Sequence, residues 1–152
     1  MDSSISLRPA TGADFPALAR LLHDAACRFI TPGMAPEVAT TFLRDNNEAA
    51  LLAYREKGHQ FRVATIAGAI AGYSAIRPPA HLFHLFVAEP WHRRGVARAL
   101  WDAARAEAAP DTRFTVNASP YAVAAYEALG FQRDGMLQEQ GGVQFQPMVA
   151  NL

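Results

Sequence analysis

The sequence predicts a mixed α/β fold of the α+β kind, with a mostly antiparallel central sheet flanked by about four helices. Three observations carry this. Apolar residues keep helical spacing through most of 12–58. From residue 60 the pattern changes to short β-rich runs, "QFRVATI" (60–66), "AIAGYSAI" (69–76) and "HLFHLFV" (81–87). The turn signals "AGA" (67–69) and "RPPA" (77–80) separate them, and links this short join neighbouring strands antiparallel. One strand–helix–strand unit over 81–118 is long enough for a crossover and permits a single parallel pair.

The elements follow in order. "ISLRPA" (5–10) alternates and ends at proline, a short first strand. Thr11 with Asp14 three residues on resembles a capping box, and Phe15, Leu18, Leu22, Ala25 and Phe29 form the apolar stripe of the helix it opens. "TPGMAP" (31–36) breaks that helix, and Pro36 suits a first helical position. "EAALLAYREKG" (48–58) is a further helix stopped by Gly58. After the three strands comes a helix from about Gly95 to Ala108, stopped by Pro110. Strand "RFTVNA" (113–118) follows, then a short helix "YAVAAYEALG" (121–130) with Gly130 just past its end. Strands at 131–138 and 143–149 flank the turn "EQGG" (139–142). The order written out is β-α-α-β-β-β-α-β-α-β-β, with no linker or repeat, as one domain over 1–152.

Bulk properties narrow the function classes. The chain has 152 residues, enough for a real core, and 18% of them are charged. Lys+Arg and Asp+Glu balance at 14 each, so no overall field favours nucleic acid or an anionic membrane. Cys27 is the only cysteine; it excludes an internal disulfide and reads as a small core residue. The N-terminal stretch has no basic and apolar regions of a signal peptide, and no apolar run approaches the roughly 18 residues of a membrane span. A cytoplasmic location is the expectation, as monomer or homodimer.

The stretch "EPWHRRGVARALWDAARAEA" (89–108) places His92, Arg93, Arg94 and Gly95 directly ahead of a helix. The first turn of a helix carries unpaired N–H groups with the positive end of the dipole behind them. Gly95 permits a tight turn and close approach, Ala97 keeps the approach open, and Arg93, Arg94 and Arg98 add charge at the rim. An anion cradle and a solvated basic turn both fit this local pattern. Neither the Walker loop nor the G-x-G-x-x-G turn is present.

"LFVAEPWHRRGVARAL" resembles motif A of the GCN5-related N-acetyltransferases (GNAT), a hydrophobic strand running into [QR]-x-x-G-x-[GA]. "VNASPYAVAAYEALGFQRDG" (116–135) resembles their motif B, which ends in Y-[ED]-x-x-G-F. The element order agrees along nearly the whole chain. His92 stands where the family generally has Gln or Arg, and Ser119-Pro120 departs from the usual motif B start.

The resemblance implies acetyl transfer from acetyl-CoA to a primary amine by direct attack, the acceptor being a small molecule or a peptide. A binding module of the same fold without turnover is the alternative. The cofactor's pyrophosphate is expected on the loop His92, Arg93, Arg94, Gly95, Val96, Ala97 and Arg98. Its pantetheine arm is expected beside Leu85, Phe86 and Val87. Asn117 and Ser119 are expected to bond that arm or a nearby water, or to cap the following helix. Tyr126 matches the tyrosine the family uses as general acid, and a core tyrosine is the plainer reading. His81 aligns with a strand position where family members carry a Glu or His base. Strict alternation would put His81, Phe83 and Leu85 on one face and His84 on the other, which argues against a two-histidine metal site. His84 and a water relay remain alternatives for the base. His23 and His59 read as surface residues. Arg77 and Glu139 are the charged groups a substrate could meet.

Overall fold

The computed structural model describes residues 4–152; Met1 to Ser3, the start of the stretch read for a leader, lie outside them. Strand β1 (Ile5–Pro9) leads into α1 (Phe15–Ala25), which runs on into a π-helical turn (Ala26–Ile30). Helices α2 (Pro36–Arg44) and α3 (Glu48–Glu56) follow, then strands β2 (Gln60–Ile66), β3 (Ala69–Arg77) and β4 (His81–Val87). The second half holds α4 (Val96–Glu107), β5 (Arg113–Ala118), α5 (Val123–Ala128), β6 (Gln132–Arg133), β7 (Gln138–Gln140) and β8 (Val143–Asn151). The sheet order is β1-β2-β3-β4-β5-β8-β6, with β7 pairing β8 as well. Every pairing is antiparallel except β4 with β5.

Local chemistry accounts for most boundaries. Asp14 accepts from the Thr11 N–H at 2.7 Å and takes both Arg8 guanidinium nitrogens at 2.7 and 2.9 Å. That pairing holds its carboxyl far below the usual carboxylate range. Ala67 and Gly68 both have positive φ and form the two-residue turn between β2 and β3, since Ile66 faces Ala69. Asn47 caps α3 by accepting from the Ala50 N–H at 2.9 Å.

Two layers of helix sandwich the sheet. On one face α1 and α3 bury Phe15, Leu18, Leu22 and Leu51 against Phe61, Val63 and Tyr73. On the other, α4 lays Val96, Leu100, Trp101 and Ala104, which share one face of the helix, on the sheet together with α5. The Trp101 indole N–H donates to the Leu129 carbonyl at 3.1 Å and ties α4 to the end of α5. Gly72 in β3 sets how close β4 and α4 come. A Cβ there would lie 2.7 Å from the Phe86 carbonyl oxygen and 3.0 Å from Val96 Cγ1.

Several expectations change. The run 131–138, read as one strand, holds the two-residue β6 and only the first residue of β7, which goes on into the expected 139–142 turn. Tyr121 sits in a 3-10 turn ahead of α5, not in the helix. Cys27 is exposed, one position past Ala26, where the buried stripe ends. His59 is buried against Tyr54 and Phe83, with ring centroids 5.1 and 4.7 Å away, and is not a surface residue. Its Nδ1 has no hydrogen-bond partner, and burial lowers its pKa.

Candidate active site

The site starts from a fault in β4. Ala75 faces His84 and Ile76 faces Leu82, so Phe83 is an extra residue, a β-bulge. The bulge ends the alternation assumed from the sequence. Phe83 packs edge-on to Tyr54 at 4.7 Å, and His84 Nδ1 meets the Tyr73 hydroxyl at 3.1 Å. Both side chains therefore face α1 and α3, while Leu85 packs toward α4. The expected opposition of His84 to Phe83 is overturned.

Beyond the bulge the sheet forks. β4 pairs with β5 only through His81↔Thr115 and Leu82↔Val116. β5 stays bonded to β8 as far as Ala118, while β4 bends away. From Phe83 to Val87 one edge of β4 therefore faces no strand, and its backbone N–H and C=O groups there need partners. An extended chain carrying amides fits such an edge. Leu85, Phe86 and Val87 lie along it.

At the end of β4 the chain makes one 3-10 turn (Glu89–Trp91) and enters the basic loop. Arg93 has φ +64 and Gly95 φ +81, left-handed positions in close succession. The first bond of α4 runs from the Ala99 N–H to the Gly95 carbonyl, at 2.9 Å. The N–H groups of Gly95, Val96, Ala97 and Arg98 have no acceptor among the described residues. A Cβ on Gly95 would find nothing within 4 Å. These N–H groups stand unpaired at the positive end of a helix with open space beside Gly95, and their chemistry suits a pyrophosphate.

The loop's side chains differ from expectation. The Arg98 guanidinium donates to the Ala128 carbonyl at 2.7 Å, so it braces the C-terminal end of α5 and is not a free rim charge. Arg94 lies over the Trp91 ring, 5.8 Å from its centroid. His92 Nε2–H donates to the Val87 carbonyl at 2.8 Å and closes the loop back onto β4.

A cavity of about 340 Å³ opens at the fork, lined by Phe83, His84, Leu85 and Phe86 from β4 and by Asn117, Ser119 and Tyr126 across from them. Residues of α1, the π-turn, α2, α3 and β8 complete it. Tyr126 packs edge-on to Phe131 at 5.6 Å, and its hydroxyl has no bond to the protein among the described residues. Burial pushes its phenol pKa up, so it holds its proton. His84 is buried and its pKa falls to about 3, first through burial and then through His59 nearby. Burial raises the Tyr73 phenol well above its usual value, and Tyr126 adds to the rise. His81 is not part of the cavity wall. Its Nδ1 lies 2.7 Å from Thr115 Oγ1, and burial and then Arg77 lower its pKa to about 4. A larger cavity, about 700 Å³, between α1 and residues 87–90 contains none of Tyr126, His81 and His84. Among the described residues no cluster of three or more His, Cys, Asp or Glu could hold a metal ion, and no helix is long and apolar enough to cross a membrane.

Residues 30–152 match the family described as "Acetyltransferase (GNAT) domain". The chain belongs to the GNAT family. Its fold is that of solved GNAT structures. A GCN5-related N-acetyltransferase from Rhodopseudomonas palustris superposes with a TM-score of 0.77 at 24% identity, covering 100% of this chain and 98% of that one. The PaiA N-acetyltransferase of Thermoplasma acidophilum, solved in complex with coenzyme A, also reaches 0.77, at 13% identity over 98% of this chain and 99% of its own. YncA from Salmonella typhimurium, solved with its cofactor acetyl-CoA, reaches 0.70 at 18% identity over 98% and 94%. At these identities the likeness speaks for the fold. No curated protein sequence matches the chain. Acetyl-CoA is the cofactor of the GNAT family.

Within this GNAT chain the structure brings Tyr126, Asn117, Ser119, Leu85 and Phe86 to one cavity, leaves Val87 and the loop 92–98 beside it, and leaves His81 outside its wall. No local signal in the sequence marks Phe42 and Tyr54 as wall residues. His84 did carry a signal, being a polar residue in an otherwise apolar run.

Proposed function

We propose that the chain, as one transferase domain over 1–152, moves an acetyl group from acetyl-CoA to a primary amine by direct attack. The observation that carries this reading is the junction of three features: an unpaired β4 edge, an open N–H cradle at its end, and a protonated phenol in the cavity at its start. The backbone N–H groups of Gly95 to Arg98 hold the pyrophosphate, with Arg93 and Arg94 adding charge. The free edge of Leu85 to Val87 bonds the pantetheine amides, with Asn117 and Ser119 across the opening. Bound acetyl-CoA supplies the acyl group as a thioester with a thiol leaving group.

In the reaction an amide bond forms between the amine nitrogen and the acetyl carbon, and the carbon–sulfur bond breaks. Tyr126 gives its proton to the departing sulfur, and burial keeps that proton in place until charge develops there. The proton lost by nitrogen returns to the phenol through water, which balances the step. His81 is not assigned the base role. Its ring is engaged by Thr115, and at a pKa near 4 it is a weak acceptor at neutral pH. His84 stays neutral through the working range and presents a fixed polar edge.

Thermal denaturation with CoA and with pantetheine tests the cofactor, and thiol release from acetyl-CoA over a panel of amines tests the transfer. A larger melting shift with CoA than with pantetheine, together with amine-dependent thiol release, is expected. Equal shifts would remove the pyrophosphate cradle, and release independent of amine would remove the transferase reading.

A further inference from the structure

The cavity that Tyr126 shares holds no charged wall. Among the described residues no Asp, Glu, Lys or Arg side chain lines it. Its one histidine, His84, is enclosed and neutral. Neither of the two charged residues that the sequence offers for substrate contact is in its wall. Glu139 stands opposite Gln144 across the β7–β8 pair and lines the adjoining, solvent-exposed cavity, which shares Ile30, Ser119 and Gln144 with this one, and Arg77 lines neither. What remains is aromatic and aliphatic, with Phe42, Tyr54, Phe83, Phe86 and Phe145 contributing rings.

Such a wall selects against ions of both signs. An alkylammonium entering it sheds water and finds no carboxylate, and the cost of an unpaired buried ion exceeds what ring faces return. A carboxylate on the same molecule finds no Arg or Lys. The neutral amides of the wall that are not set against the cofactor arm, Asn46 and Gln144, serve an uncharged amine with hydrogen-bonding N–H groups. An amine that is already neutral at pH 7 also needs no base to free its lone pair, which agrees with a cavity that presents none of neutral pKa.

Resting on the acetyl-transfer reading, we propose that the acceptor is a weakly basic amine of the arylamine class, carried on an apolar ring and bearing no carboxylate. Its ring lies among the phenyl groups and its nitrogen points toward the mouth of the fork, where Tyr126 stands.

The test compares aniline, benzylamine and phenylalanine at pH 7 within a wider panel of arylamines, alkylamines and amino acids. These three share a ring and differ in amine basicity and in the carboxylate. Aniline is expected to exceed benzylamine in kcat/KM by about tenfold or more, with phenylalanine giving no acetylation. In the presence of CoA, aniline is also expected to bind more tightly by calorimetry, a readout independent of turnover. Gln144→Glu places a carboxylate in the cavity wall itself without changing side-chain shape. It is expected to strengthen benzylamine binding and narrow or reverse the preference. A wild-type preference for benzylamine or phenylalanine in both readouts overturns the inference and leaves acetyl transfer standing. Absence of thiol release with every amine, while CoA still raises the melting temperature, overturns the acetyl-transfer reading and this inference with it.

Discussion

The loop 92–98 and the cavity at the β4–β5 fork adjoin each other, yet they are built in opposite ways. The loop is a single run of chain that on the proposed reading works through backbone N–H groups, held by the left-handed turns at Arg93 and Gly95. Its side chains brace neighbours: His92 on the Val87 carbonyl, Arg98 on the Ala128 carbonyl, Arg94 on Trp91. The cavity draws its wall from residues as far apart as Leu22 and Phe145, and its chemistry falls to side chains. A backbone site tolerates exchange of side chains that keep its geometry, so on that reading His92 is admissible where the family generally has Gln or Arg. A side-chain site fails when one group is lost, even though the fold survives.

The largest expected effect separates the two regions. Tyr126→Phe removes only a hydroxyl that makes no bond to the protein, so the fold and CoA binding should stay intact while kcat falls by roughly 10²–10⁴, the usual worth of a positioned proton donor. Wild-type turnover in this variant, measured by thiol release on the best acceptor, would make Tyr126 a packing residue. The converse change is Gly95→Val. At φ +81 a β-branched residue is strained although its Cβ meets nothing. The melting shift caused by CoA should disappear while circular dichroism shows a folded protein. Retention of that shift would mean that the cradle does not depend on the turn at Gly95.

A smaller effect concerns the cavity's histidine. Burial lowers the folded-state pKa of His84 to about 3 from an ordinary 6.5. Between those values the unfolded chain binds the additional proton, so stability is full above pH 6.5 and is lost as pH falls toward 3. Near pH 5 the loss from His84 alone is ~2 kcal/mol. His84→Phe should flatten the slope of unfolding free energy against pH in that window by this amount, whatever it does to stability at pH 7. An unchanged slope in urea titrations would show that His84 is not buried as a neutral ring. The smallest effect returns to the loop. His92→Gln keeps a donor for the Val87 carbonyl, and CoA affinity by calorimetry should change only a few-fold. A loss of a hundredfold would turn the comparison around and make the loop a side-chain site.

Local chemistry made much of the molecule legible from its sequence. The cap at Asp14, Pro36 at the start of α2, Gly58 and Gly130 just past their helices, the Ala67–Gly68 turn and the loop at Gly95 each depend on residues a few positions away. So did the alternation and stripes that distinguished strands from helices, and with them the single parallel pair and the element order, apart from a third helix before β2 and a third strand after α5. Tyr126 was visible through the resemblance of its helix to motif B.

Tertiary structure alone decided which side chains meet. The bulge at Phe83 follows from the pairing of β4 with β3, and it carried His84 to the face with Phe83 against the parity its sequence position suggests. The opening of the fork is a property of three strands, since β5 keeps β8 and releases β4. His59 was buried and Cys27 exposed by packing that neither residue's neighbours announce. The reason is common to all of these. A turn, a cap or a periodic stripe is settled by contacts within about a helical turn, whereas a cavity wall is settled by segments more than a hundred residues apart, which no local pattern encodes.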